Sequence, residues 1–408
     1  MLAFGTLRRS MASSLSWIDF SAADRERMHR AMALFQDRET RDELGLGTIR
    51  DAFSDVLFPG TSTIMTRLRY FLFVPWIYRE LEEERVRSEA VARRLRVLEE
   101  ELIRQLNRTN DAGVVGGRAV DAVQRTPSSI YWAGVQRWGI AQFAGSQAQY
   151  HQEFDRIRAR RLALDVPDDE GVERATLSTW HPQLPPPPEE WRTTATFALT
   201  VDEAEFVLGR LIALHPKSLL AWLAARPEAP ALDFAWELLP LRSELPETLQ
   251  QRLQLARRFS FAFHGATWLY NLQLAEQARR DELAADHRAS LAAWAANPER
   301  RDLEGDWLRD VWALADEQRA RVPHPTRAFV HAWVAECLSD HDFGSSPLAR
   351  RLVREREVRL KGSRSRFTNR RALETWNGRS GVARLQFRWG VAQRILRDLC
   401  DGLGAKEA

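Results

Sequence analysis

Apolar residues recur at three- and four-residue steps along most of the chain, the spacing that lines one face of an α-helix. The longest such pattern runs over 246–281, where Leu253, Ala256, Phe259, Phe263, Ala266, Tyr270 and Leu274 fall on one side and predict a buried central helix. A second long helix is expected over 76–108, with Val91, Leu95, Leu98, Leu102 and Leu106 as a narrow seam that pairs with another helix of the same chain. Before it, Thr61 or Ser62 caps a helix bearing Ile64, Leu68, Phe71 and Leu72, which Pro75 should end or kink. Shorter helices are expected at 24–35, 47–58, 118–124, 128–138, 146–161, 217–225 and 230–239. Further apolar faces lie at Trp307, Val311 and Leu314, and at Phe329, Trp333 and Cys337. Thr200 and Glu203 form a capping box opening 201–215. Strand-like alternation is confined to 16–20 and 193–199. The fold class is therefore mainly α and multi-helical, with two or three helical domains and at most a few short strands.

The pattern breaks once, at 163–192, where an acidic run, His181-Pro182 and four prolines at 185–188 cannot continue a helix. This places an N-terminal helical domain at 11–162, a Pro-rich linker at 163–192 and a central helical domain at 193–345. A basic C-terminal helical segment, 346–408, is expected to pack on the central domain. A chain of 408 residues is long enough for each part to bury a core. No apolar run approaches bilayer length, since the most apolar stretch, 70–78, is flanked by Arg67, Arg69 and Arg79. With two cysteines, Cys337 and Cys400, and no signal peptide, a reduced cytoplasmic protein is expected, without a membrane partner.

Charge changes the picture at one place. Between Arg350 and Arg397 stand fifteen Lys or Arg and three acids, a local +12; the whole chain carries +3, so the rest carries −9. A segment this lopsided repels itself unless a polyanion relieves it, and nucleic acid, in the first instance DNA, is the abundant cytoplasmic polyanion. With Ser346 as cap, a helix over 347–360 sets Arg350, Arg351 and Arg354 on one face, opposite Leu348, Ala349, Leu352, Val353 and Leu360, while Arg356 and Arg359 fall on the apolar side. The following loop carries Lys361, Arg364, Arg366, Arg370 and Arg371 between turn-forming Gly362, Gly378 and Gly381. Guanidinium groups fork onto phosphate oxygens, and Phe367 and Trp376 either stack on exposed bases or fill a local core. A last helix over 384–399, with Leu385, Trp389, Ala392, Leu396 and Leu399 as its apolar stripe, should hold the loop in place.

Five stretches carry a resemblance: Ser16–Ser21, Asp42–Gly45, Ile49–Asp55, Leu57–Thr63 and Arg69–Trp76, reinforced by His264-Gly265-Ala266, Tyr270-Asn271-Leu272 and Arg388-Trp389. They look like an uncharacterised bacterial family that opens with SWIDFS, and the likeness covers nearly the whole chain. What it implies is a setting near helicases and phospholipase-D-type nucleases in phage-defence islands, with no catalytic residues to transfer.

Candidate chemistry is sparse. No phosphate loop ending in Gly-Lys-Ser/Thr, no His-Glu-x-x-His, no Cys-x-x-Cys and no His-x-Lys of the phospholipase-D type occurs, so no catalytic residue, cofactor or metal is assigned. Thr61 and Ser62 with Arg67 and Arg69 could hold an anion at a helix start, or could be an ordinary cap. Ser339-Asp340-His341-Asp342 reads as a helix terminus, and His264 beside Gly265 as a core histidine at a close helix crossing. Three functions follow: a non-catalytic nucleic-acid-binding subunit acting with a helicase or nuclease encoded nearby, a defence-complex scaffold, or a nuclease with a site assembled from distant residues. Six engaged phosphates would give a log-log salt slope near roughly −5 for duplex DNA.

Overall fold

The computed structural model describes residues 42–109, 111–117, 120, 124–164, 179–226 and 229–404. The strand expected at 16–20, the helix at 24–35 and most of the helix at 118–124 lie outside them. Helix makes up 64% of the structure, and no strand occurs among the described residues. The one β-bridge among them joins Ala141 to Trp180. The alternation at 195–199 still buries Ala195, Phe197 and Leu199, but as extended chain following the helical turn Trp191–Thr194.

The 31-residue helix Glu247–Gln277 is the centre of the fold, and all seven residues of its predicted face are buried. Asp281–Ala295, Pro347–Lys361, His324–Cys337 and Gly47–Leu57 pack around it. Its approach to Asp281–Ala295 depends on Gly265, where a Cβ would lie 2.4 Å from the Trp294 ring. Trp294 Nε1 donates to the Phe261 carbonyl at 2.9 Å and Trp333 Nε1 to the Ala262 carbonyl at 2.8 Å, so two indoles anchor on adjacent buried carbonyls of one turn. His264 Nε2 donates to the Val382 carbonyl at 2.9 Å, which accounts for it as a satisfied histidine beside that crossing. Thr200 and Glu203 form the expected capping box at the start of Val201–Leu214.

Among the N-terminal helices, the seam of Ser88–Arg108 is buried throughout and packs within the chain, against Tyr70–Glu83 and Gln147–Gln152. Pro75 does not end Tyr70–Glu83 but lies inside it. An interior proline costs about 3 kcal/mol, yet every residue from Tyr70 to Tyr78 is buried, and each large apolar side chain returns roughly 1.5–3 kcal/mol. Burial outweighs the lost hydrogen bond. The break comes instead at 84–87, where Arg85 takes φ 55°. The chain at Leu184 and Pro185 lies against this helix, with Trp76 Nε1 donating to the Pro185 carbonyl at 2.8 Å and with Trp180 and Leu184 buried. The apolar core is continuous from Leu44 to Leu399.

The segment 230–234 is not helical, and the only regular turn there is the 3-10 helix Ala235–Leu238. The closing helix starts at Trp389 rather than 384, because Phe387 and Arg388 hold φ 51° and 66°. That left-handed backbone is unfavourable for non-glycine residues. It is held by Arg388, whose Nη1 donates to Asp55 at 2.5 Å and to the Thr61 carbonyl at 2.7 Å. No helix among the described residues is long and apolar enough to cross a membrane.

Candidate nucleic-acid interface

The helix Pro347–Lys361 begins as its sequence predicts, with Ser346 Oγ accepting from the Ala349 amide. Its inward face differs from the apolar set expected. Ala349 and Val353 are buried, but Leu348 and Leu360 are exposed, and Arg356, Glu357 and Lys361 take their place inside. Arg356 meets three oxygens, Nε donating to the Leu44 carbonyl at 2.8 Å and Nη2 to the Gly45 carbonyl at 3.2 Å and to Thr326 Oγ1 at 2.9 Å. Glu357 accepts from the Arg366 amide at 2.9 Å and from Ser365 Oγ; burial raises its carboxyl pKa, while these hydrogen bonds oppose the shift. A buried charge is tolerated only with such partners.

Several of the expected phosphate-binding cations therefore have carboxylate partners inside the molecule. Lys361, nearly buried, meets Glu43 at 3.4 Å, and Arg366 donates to the same carboxylate at 2.6 Å and to the Tyr270 hydroxyl at 2.9 Å. Arg350 pairs with Glu276 and donates to the Gly344 carbonyl at 2.6 Å. Phe367 is 4% exposed and Trp376 3% exposed, the first edge-on to Tyr270 and the second near His287, so neither ring offers a face for a base. Both fill the local core.

The remaining cations open outward. Arg351, Arg354 and Arg359 are exposed and border one open groove of about 660 Å³, together with Arg350, Glu355, Val358, Thr368 and Gln273. Among the described residues Arg351 and Arg359 have no ion-pair partner, and Arg354 lies over the Phe367 ring at 5.1 Å. Arg370 and Arg371 follow Thr368 on the short helix Arg370–Glu374; Arg371 is exposed, and Arg370 makes an i,i+4 pair with Glu374 while remaining 92% exposed. Such an exposed pair is worth little and yields easily to a phosphate. Arg364 is also exposed. Arg359, placed on the apolar side by the helical wheel, belongs to the groove because the helix is turned so that Arg356 faces inward.

The other candidate anion site takes a different form. No helix starts at Thr61 or Ser62; the chain stays irregular until Tyr70, so no set of free helix-start amides exists there. Thr61 Oγ1 donates to the Phe58 carbonyl at 2.7 Å. Arg67 forks onto Asp398 through Nε and Nη2, and Arg69 pairs with Glu203 at 2.7 Å, both across more than a hundred residues of sequence. These arginines tie the 61–69 segment to the closing helix and to Val201–Leu214. At 339–342 the chain leaves His324–Cys337, and His341 Nε2 lies 2.9 Å from Glu336; no metal-ligand group occurs among the described residues. Burial pushes the Cys337 thiol pKa well up, as expected for an inert core cysteine.

No curated protein and no solved structure matches the chain. A family model, described as a family of unknown function (DUF6361), matches residues 12–403, nearly the full length. The chain belongs to that family.

Proposed function

We propose that the protein binds nucleic acid, in the first instance duplex DNA, through its phosphate backbone, using the arginine groove on Pro347–Lys361 and the adjoining Arg370 and Arg371. The observation that carries this reading is the groove itself: Arg351, Arg354 and Arg359 stand exposed around one cavity that holds a single acid, Glu355. The acidic remainder of the molecule neutralises Lys361, Arg366 and Arg350, yet leaves these three turned to solvent. An ordinary solvated face mixes both signs. With the aromatic rings buried, readout of splayed bases loses its platform, which favours duplex backbone over single strand.

In this reading the protein is a non-catalytic cytoplasmic subunit that brings a helicase or nuclease partner to DNA in an anti-phage system, the setting its family resemblance implies. Titrating labelled duplex DNA at several salt concentrations tests the binding. Arg351, Arg354, Arg359, Arg370 and Arg371 as five phosphate contacts give an expected log-log slope of about −4.5, shallower than the value for six. A response independent of salt would sink the proposal.

A further inference from the structure

Gln273 sits on the central helix where it borders the arginine groove, and it is 6% exposed. Its Nε2 has no hydrogen-bond partner among the described residues. Asn271, two residues earlier on the same helix, shows what a satisfied buried amide looks like here. Its Nδ2 donates to the Thr267 and Ser380 carbonyls, each at 2.8 Å, and its Oδ1 accepts from the Ser380 amide at 2.9 Å. Leaving a buried amide donor unpaired costs about 1–3 kcal/mol, and native chains keep few such groups without a reason.

The surroundings specify what would complete it. Arg351, Arg354 and Arg359, with Arg350 whose charge Glu276 already balances, border the same groove against one further carboxylate, Glu355, which excludes a cation and disfavours an apolar ligand. Arg350 is already fixed by Glu276 and the Gly344 carbonyl, and Arg354 is steadied over Phe367, so part of the donor set is pre-arranged. A group with several acceptor oxygens and negative charge meets both demands at once.

We infer that the groove seats one phosphate group, with Arg351 and Arg354 supplying charge and the side-chain amide of Gln273 supplying a neutral donor at its inner wall. Gln273 Nε2 is itself shut off from solvent, so it reaches the seat by a half-turn about the terminal torsion, which exchanges the two nearly isosteric ends of the amide. The inference rests on reading the groove as a polyanion-binding face, and it adds the seat to which the backbone is anchored.

The test uses the full chain and inorganic phosphate as probe, titrated at low ionic strength by calorimetry with chloride as control. Saturable phosphate binding is expected, weakened about tenfold in Gln273→Leu, the loss of one hydrogen bond to a charged group. Thermal stability of Gln273→Leu should be unchanged or higher, because the substitution removes an unpaired buried donor. Duplex DNA should displace the phosphate, and comparing 5′-phosphorylated with 5′-hydroxyl duplexes tells a chain end from an internal diester as its source. No saturable phosphate binding, or full affinity in Gln273→Leu, overturns the seat. If DNA still binds with a steep salt dependence under that outcome, the backbone reading survives alone. Gln273-dependent phosphate binding that DNA does not displace leaves the seat standing and removes nucleic acid as its source.

Discussion

Arg366 Nη1 donates to Glu43 Oε1 at 2.6 Å although 323 positions separate the two residues in sequence. Lys361 approaches the other oxygen of the same carboxylate at 3.4 Å, so one acid from the start of the described chain holds two cations of the basic segment. Removing one partner of a buried charge pair costs about 3–5 kcal/mol, because the groups left behind stay desolvated. Glu43→Ala should therefore lower unfolding free energy by about that amount in urea titration. Arg366→Gln should lower stability too, while leaving the salt slope of DNA binding unchanged. A change in that slope would return Arg366 to the binding face.

These pairings mark where sequence reading reached its limit. The central helix was legible because burial of one face imposes a 3.6-residue period, and Leu253 through Leu274 obey it. Ser346 and the Thr200–Glu203 box were legible because capping is local. The fate of Arg356, Lys361 and Arg366 was not, since it is set by the carbonyls of Leu44 and Gly45 and by the Glu43 carboxylate, some three hundred positions away. Counting charge identified the basic segment and could not separate its inward from its outward arginines. Gln273 gave no signal at all, lying between Leu272 and Leu274 on a helix read as core. Pro75 does not end its helix because its penalty is local, whereas the burial that offsets it is tertiary.

The outward arginines make a separate prediction. Arg351→Glu with Arg354→Glu should weaken duplex binding uniformly across sequences and reduce the salt slope by about 2, since each phosphate contact contributes roughly one. Circular dichroism should show the fold intact, because both side chains are exposed. Normal binding by this double variant would remove the groove from the interface.

Gly265 predicts a steric coupling. Gly265→Ala gains about 1 kcal/mol of helix propensity, but its Cβ would lie 2.4 Å from the Trp294 ring, with no room to shift an indole whose Nε1 is bound to Phe261. Overpacking of this kind costs typically about 1–3 kcal/mol, so net destabilisation is expected despite the better helix former. Shrinking the neighbour with Trp294→Leu should make the alanine tolerable. A double-mutant cycle measures this directly, and additive effects would mean the two residues do not press on each other.

Glu99 predicts a pH dependence of stability. It is 1% exposed, accepts from the Ser128 amide at 2.6 Å, and burial raises its carboxyl pKa to about 7 from an ordinary 4.5, with the Ser128 and Thr126 hydrogen bonds opposing the shift. Between those values the native state keeps a proton that the unfolded chain releases, so stability falls as pH rises through this window and levels off above it. The full effect is about 3 kcal/mol at 1.36 kcal/mol per unit. A second group acts with the opposite sign. Ser128 Oγ accepts from Gln147, which also donates to the Tyr78 hydroxyl, and that hydroxyl in turn lies 2.7 Å from His151 Nε2. Burial depresses the His151 pKa to about 4 from 6.5, so its contribution is lost as pH falls through that range. The two slopes partly cancel in the wild type, and subtraction separates them. Glu99→Gln keeps an acceptor for the Ser128 amide and removes only the ionisation. The stability of Glu99→Gln minus that of the wild type, from urea titrations between pH 4.5 and 8, should grow with pH up to about 7 and level off above it. A difference that stays flat over that interval would mean the buried carboxyl titrates normally.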